Sequence, residues 1–337
     1  MSAWMRLTLA ATALVVVPGW TWSQTPLEKQ SAPPVKPPPA PTVVAARVNG
    51  QEILELAVYR GLLRERIENW SAARQEILNY LIDNLLVDQY LTQLKVDVEP
   101  KDVEARYAQI QDEAAKGKQN FAEILKKLHL SEAELKKELH AALRWDKFVL
   151  QQATDKVLLD YFQKNPAMFD GSQMQARHIL VSARDDAEGQ QKIAVIKKGI
   201  EDEVARQITA QPAGDKIALE KARTKALLTA FAGAALKDST CPSKKQGGEL
   251  PWFRRVSDMV EPFARASFAL QPSQMSDAVK SEFGYHLILA VDRKPGRDVK
   301  FEDVKSFVAE VYGQRLREAI IAAYKPRSKI EILGGVN

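Results

Sequence analysis

Four histidines and one cysteine occur in 337 residues, so imidazole or thiol chemistry must draw on these few side chains. His178 stands in ARHILV, His286 in FGYHLI, and Cys241 falls between them in CPSKKQGGELPWF. A lone thiol cannot close an internal disulfide, so in an oxidising compartment it calls for another explanation. The two histidines sit in the two most strand-like stretches of their half of the chain. Opposed residues of an antiparallel pair place their Cβ atoms about 4.5–5.5 Å apart. At that distance two imidazoles can hydrogen-bond each other. His129 and His140 lie in a charged helical region and read as solvated. A Cys–His hydrolase is disfavoured, because no third orienting residue is evident and no nucleophile elbow surrounds Cys241.

The strands that must carry this pair are QARHILVS, which begins at Gln175, and YHLILAVD, Tyr285 to Asp292. Both are short, apolar and alternating. Between them lie two amphipathic helices separated by Gln211-Pro212-Ala213-Gly214. The first carries Ile193, Ile196, Ile200, Val204 and Ile208; the second carries Ile217, Leu227, Leu228 and Phe231. The Gly247-Gly248 turn and a short helix over Pro262 to Leu270 follow. Strand, helices, loop, helix and strand make an α+β domain with a small antiparallel sheet flanked by helices.

The segment ahead of it is helical. VVAARVNGQEI, Val43 to Ile53, reads as two strands about an Asn49-Gly50 turn. Ile77, Leu78, Leu81, Ile82, Leu85 and Leu86 then recur at helical spacing, with Ser71 as N-cap. Pro100 opens another helix, and Ser131 with Glu134 forms a capping box for one running to about Gln151. A short helix spans Asp155 to Lys164. The tail returns to helix over Phe301 to Tyr324 and ends in a strand, KIEIL. If that strand pairs with those near Val48, both chain ends build one all-helical module with the α+β domain inserted.

Composition sets the remaining expectations. Arg6, the apolar run Leu7 to Val17, and a small-residue site after Ser23 read as a cleaved export signal over 1–23. An uncleaved anchor is the alternative, although the run is shorter than the ~20 residues of a comfortable span. No Cys follows the run, which argues against a lipid-anchored terminus. Seven of the 17 prolines fall between Pro26 and Pro41, so 24–42 is a polyproline-like spacer. A net charge of +5, with Lys and Arg interleaved among Asp and Glu, suits solvated helix faces rather than nucleic-acid binding.

ARHILV, CPSKKQGGEL-WF, MVEPFARASFAL and FGYHLI, in that order and spacing, resemble the parvulin family of peptidyl-prolyl isomerases. The helical segment, opening with ARVNG, resembles the N-terminal module of SurA- and PrsA-like exported chaperones. The parvulin resemblance implies a domain over 172–295, a chaperone module over 43–168, and a C-terminal segment, 299–337, packing back on that module. It implies a catalytic set of His178, Cys241, Ser281 and His286, and a proline pocket of Leu250, Met259 and Phe263. Those three are chemically apt, since a prolyl ring needs an apolar cup, although without the motifs around them plain core packing would be the better account.

The resemblance implies an exported isomerase and chaperone that turns X-Pro bonds without a covalent intermediate, needing no cofactor and no metal. Its expected location is the periplasm or another extracytoplasmic space. Its expected partners are unfolded or nascent exported polypeptides, with homodimerisation open, no nucleic acid, and no integral membrane span in the mature chain. A non-catalytic holdase with a vestigial parvulin domain is the alternative. Departures from the family pattern are Glu249, Pro251, a one-residue extension at Arg255–Asp258 and a longer helical stretch near Asp202 to Lys225. No basic triplet follows HILV, so phosphate-directed specificity is not expected.

Overall fold

The computed structural model describes residues 37–63, 70–209 and 215–333. The export signal of 1–23, most of the Pro-rich spacer and the loop at 211–214 lie outside the described residues, and Ser71, expected as an N-cap, falls instead inside the helix Trp70–Gln93. The chain divides into two compact units, one over Leu159–Val308 and one built from the residues before and after it.

In the split unit, β1 (Val44–Val48) and β2 (Gln51–Leu54) form the hairpin expected from Asn49-Gly50. Both turn residues take left-handed backbone, φ 51° and 84°, which Asn and Gly tolerate best. The C-terminal strand β7 (Ile330–Ile332) adds antiparallel to the other edge of β1, pairing Ala46 with Ile332 and Val48 with Ile330. Asn49 ties these pieces together. Its N–H donates to the Lys329 carbonyl at 2.8 Å, and its Oδ1 accepts from the Lys329 N–H at 2.9 Å. Its amide also donates to Gln89 on α2 (Trp70–Gln93) at 2.7 Å.

Ala45, Ala46 and Val48 pack on Ile77, Leu78, Ile82 and Leu86 of α2, with α1 (Glu55–Leu63) supplying Val58 and Leu62. A second cluster joins α3 (Pro100–Lys116), α4 (Phe121–Lys127) and α5 (Glu132–Gln152) through Tyr107, Ile110, Leu135 and Leu139. The capping box forms at α5: Ser131 Oγ accepts from the Glu134 N–H, and the Glu134 carboxylate accepts from the Ser131 N–H. α6 (Asp155–Lys164) follows.

The other unit holds β3 (Gln173–Val181), β4 (Phe253–Arg254), β5 (Val279–Ser281) and β6 (Gly284–Lys294) in the antiparallel order β4-β3-β6-β5. Ile179, Val181, Leu287 and Leu289 on one face pack against Ile193 and Ile200 of α7 (Asp186–Thr209) and Leu227 and Phe231 of α8 (Lys216–Asp238). Met174, Ala176 and Ile288 on the other face pack against Phe253 and against Phe263 and Phe268 of α9 (Glu261–Ala269). α10 (Phe301–Tyr324) leads back to β7. The chain is an α+β protein, as its periodicities predict. Among the described residues no helix is long and apolar enough to cross a membrane.

Candidate active site

β3 and β6 hold the two histidines on the face that carries Phe263. The register is not the direct opposition expected from the sequence. His178 faces Ile288 and His286 faces Leu180, so the two are diagonal neighbours on one face. Their rings still meet, nearly parallel at 19° with centroids 5.5 Å apart, and Nδ1 lies 3.3 Å from Nδ1. The diagonal is within reach because an imidazole extends well beyond its Cβ.

Each imidazole has a hydroxyl at its outer nitrogen. Ser281 Oγ, at the end of β5, lies 2.7 Å from His286 Nε2. Ser243 Oγ lies 3.1 Å from His178 Nε2. The result is a chain of four side chains: Ser281, His286, His178, Ser243. A neutral imidazole carries one N–H, so an Nδ1···Nδ1 contact needs the proton on one ring and a lone pair on the other. If His286 donates from Nδ1, its Nε2 accepts from Ser281, and His178 donates from Nε2 to Ser243. Reversing one bond reverses all of them. The Phe283 N–H donates to Ser281 Oγ at 3.1 Å, which leaves the Ser281 hydrogen free for His286. That favours the direction in which Ser243 accepts and keeps its own O–H available.

Both rings are buried, 6% and 4% exposed. Burial lowers the pKa of His178 to about 4. Burial, and after it the neighbouring His178, lowers His286 to about 4. At neutral pH the pair is therefore uncharged. The Phe263 ring, itself 3% exposed, meets both imidazoles edge-on with centroids 5.5 and 5.2 Å away. Leu250 and Met259, half-buried, pack in the same apolar cluster. The structure thus brings His178, His286, Ser281 and Phe263 into direct contact, with Leu250 and Met259 at the margin of their cluster.

Cys241 is placed differently. It is half-buried at the head of a short 3-10 helix, Pro242–Gln246. Its backbone N–H donates to Ser239 Oγ at 3.2 Å, and its thiol has no hydrogen-bond partner among the described residues. Ser243, two residues on, holds the place at the imidazole. Sequence reasoning missed Ser243 because only the 3-10 turn brings its side chain round to His178. The Pro242 ring and the closely spaced Gly247-Gly248 pair were the signals for that turn.

The loop is fastened to β3 at each end. The Thr240 N–H donates to the Leu180 carbonyl at 2.8 Å, and the Leu180 N–H donates to Ser239 Oγ at 3.1 Å. At the other end the His178 N–H donates to the Gly248 carbonyl at 2.8 Å, and the Gly248 N–H to the Ser243 carbonyl at 2.9 Å. Gly248 has φ +77°, and a Cβ there would lie 2.4 Å from the His178 carbonyl oxygen. Only glycine fits.

Leu250 N–H donates to the Ala176 carbonyl at 3.0 Å, and β4 pairing begins at Phe253. Pro251 therefore stands between ladder positions. Within Arg255–Asp258, Ser257 takes a left-handed φ of 78°. Arg255, 6% exposed, grips Glu261 in the first turn of α9 with two 2.6 Å bonds, which seats the helix bearing Phe263. On the opposite side, Tyr285 OH and Lys280 both donate to Asp186, tying the β5–β6 hairpin to α7. These two donors, Lys280 first, hold the Asp186 carboxyl below its usual range.

His140 corrects the expectation of a solvated ring: it is half-buried, with Nδ1 3.3 Å from an Arg144 nitrogen. His129 is exposed. No group of three or more metal-ligating side chains occurs among the described residues.

Residues 153–306 match the PPIC-type PPIase domain profile. The foldase protein PrsA of Bacillus subtilis is 36% identical over 80 residues, covering 24% of this chain and 27% of that protein. The foldase protein PrsA of Clostridium botulinum is 25% identical over 303 residues, covering 84% of this chain and 81% of that one. Over the matched segment the chain spans about half or less of its first curated relatives, 27% of the Bacillus subtilis protein and 46% of Campylobacter jejuni Cbf2. The crystal structure of the peptidylprolyl isomerase PrsA from Bacillus anthracis aligns with TM-score 0.40 at 22% identity, over 73% of this chain and 96% of that one. Segment 153–306 is thus similar to the PPIC-type parvulin domain of peptidyl-prolyl isomerases.

Proposed function

We propose that the chain is an exported foldase: the parvulin segment, bounded as 172–295, isomerises X-Pro bonds of unfolded clients that the helical module, 43–168 with 299–337, retains. The observation that carries this reading is the unbroken Ser281–His286–His178–Ser243 chain lying against Phe263. Export rests on the Arg6 and Leu7–Val17 pattern, and client binding on the likeness to proteins named foldases.

The chemistry is light. Amide rotation faces a barrier of about 18–20 kcal/mol, and a thousandfold acceleration needs only about 4 kcal/mol. No bond is broken. Phe263, Met259 and Leu250 take the prolyl ring and exclude water. The neutral imidazole pair does not transfer a proton to the substrate. It fixes the direction of the hydrogen-bond chain, so that the Ser243 O–H and the uncharged surroundings meet the carbonyl as it twists out of conjugation. Cys241 lines the entrance without forming a covalent bond, and Cys241→Ala retains measurable activity.

The test is NMR exchange between the cis and trans forms of an Ala-Pro peptide with catalytic amounts of protein. Acceleration above background that drops on Phe263→Ala supports the reading. No acceleration, with aggregation of an unfolded client still suppressed, means that the domain serves only as a binding module.

A further inference from the structure

A cavity of the Leu159–Val308 unit lies away from the histidine pair. It is a groove of about 840 Å³ along α8 from Lys216 to Ala232, with Arg177 of β3 beside Leu228. Arg177 belongs to the Ile179–Val181 face of the sheet, opposite to the face that carries His178. The floor is aliphatic. Ile217, Thr224 and Leu228, spaced i, i+7 and i+11, fall on one stripe of the helix. Ile217 is 64% exposed, an unusual place for a large aliphatic side chain.

The rim is cationic: among the described lining residues Arg177, Lys216, Lys221 and Lys225 stand against one acid, Glu220. None of the three lysines has an ion-pair partner among the described residues. On neighbouring α7, by contrast, Lys192, Lys197, Lys198 and Arg206 are each paired with a carboxylate. Arg177 holds Glu249 at 3.3 Å, a long contact that another carboxylate could take over.

We propose that this groove is a second polypeptide-binding site, selective for an extended acidic segment carrying interspersed aliphatic residues. Lys221 and Lys225 stand one helical turn apart, a rise of about 6 Å. Acids at every second position of an extended chain repeat at about 6.6 Å, which matches that rise. The stripe from Ile217 to Leu228 rises about 16 Å, the length of about five extended residues. None of the described lining residues is aromatic, so no face for base stacking is offered, which disfavours single-stranded nucleic acid. A client held here reaches the proline site on the other face as an intramolecular ligand, at raised effective concentration.

Fluorescence anisotropy on the full chain tests this, with a labelled heptapeptide of alternating Asp and Leu as probe and an Asn-Leu peptide as control. The Asp peptide is expected to bind and the control to bind at least about tenfold more weakly. The double variant Lys221→Glu/Lys225→Glu should lose about tenfold or more in affinity. Ile217→Ser should lose several-fold and raised salt should weaken binding. Exchange catalysis on an uncharged Ala-Pro peptide should stay unchanged in all these variants. Undiminished binding to the charge-reversed variant, equal binding of the control, or no binding to the parent chain overturns the proposal. So does sedimentation with phosphatidylglycerol vesicles without peptide binding, which would assign the patch to a lipid surface.

Discussion

Ser243 and Ser281 end a hydrogen-bond chain whose direction is set as a whole, so neither can be removed without disturbing the other's imidazole. Ser243→Ala and Ser281→Ala should each cost about 1 kcal/mol in urea unfolding of the isomerase unit. The double variant should depart from the sum by at least about 0.5 kcal/mol; simple additivity would mean that the two hydroxyls act separately. The buried neutral pair also makes stability depend on pH. An unfolded imidazole takes a proton near pH 6.5, whereas these do so only near 4. Between those values the unfolded state binds more protons, so this contribution is full above pH 6.5 and is lost as pH falls toward 4. The loss approaches about 3 kcal/mol for each ring. His178→Phe/His286→Leu should show a smaller fall in urea midpoint between pH 7.5 and 4.5 than the parent; equal falls would reject a neutral buried pair. At this scale the sequence disclosed the histidines, because rare residues in strong strands stand out. It did not disclose Ser243, one serine among many: Pro242 and Gly247-Gly248 signal the turn but not which of its side chains reaches His178.

Gly248 joins two elements at a single residue: its carbonyl holds the His178 N–H and its N–H holds the Ser243 carbonyl. Gly248→Ala puts a methyl group against the His178 carbonyl and strains a left-handed φ. It should destabilise the Leu159–Val308 unit by about 2 kcal/mol or more and lower the proposed exchange catalysis by displacing Ser243. Gly199 of α7 is the control, with open space around its Cβ position. Gly199→Ala should stabilise by about 0.5–1 kcal/mol and leave activity unchanged. If both alanines behaved alike, the loop geometry would not be what demands glycine. Elements with strong periodicity or explicit caps were legible in the sequence: α6 over Asp155–Lys164, α10 over Phe301–Tyr324, and the capping box at Ser131. The diagonal register of the histidines was not legible. It depends on where β3 and β6 begin pairing and on the irregularity between Gln175 and Ala176, which are tertiary properties. The two-residue strand β4 and three-residue β5 are too short to leave a periodic signal.

The return of the C-terminus to the first hairpin was legible as a change of texture, from helix to alternating strands and back, ending in KIEIL after a helix. The physical reason for the return is the buried edge of β1. Ala45, Ala46 and Val48 are fully buried, and the backbone of β1 would otherwise expose unpaired groups on the β7 side. Ending the chain at Tyr324 removes the Ala46–Ile332 and Val48–Ile330 pairs, the Leu333 N–H bond to the Ala45 carbonyl, and both Lys329 bonds of Asn49. At about 1 kcal/mol net for each lost hydrogen bond, the split unit should lose about 3–5 kcal/mol. At about 2–4 °C for each kcal/mol in a unit of this size, its calorimetric midpoint should fall by about 10 °C. The transition of the Leu159–Val308 unit, which contains none of these bonds, should stay in place, and with it the peptide exchange proposed for that unit. A synthetic peptide of 325–333 added in excess should restore the lost midpoint by mass action. If both transitions fell together, the chain's ends would be supporting the isomerase unit as well, and the division of labour between the two units would have to be abandoned.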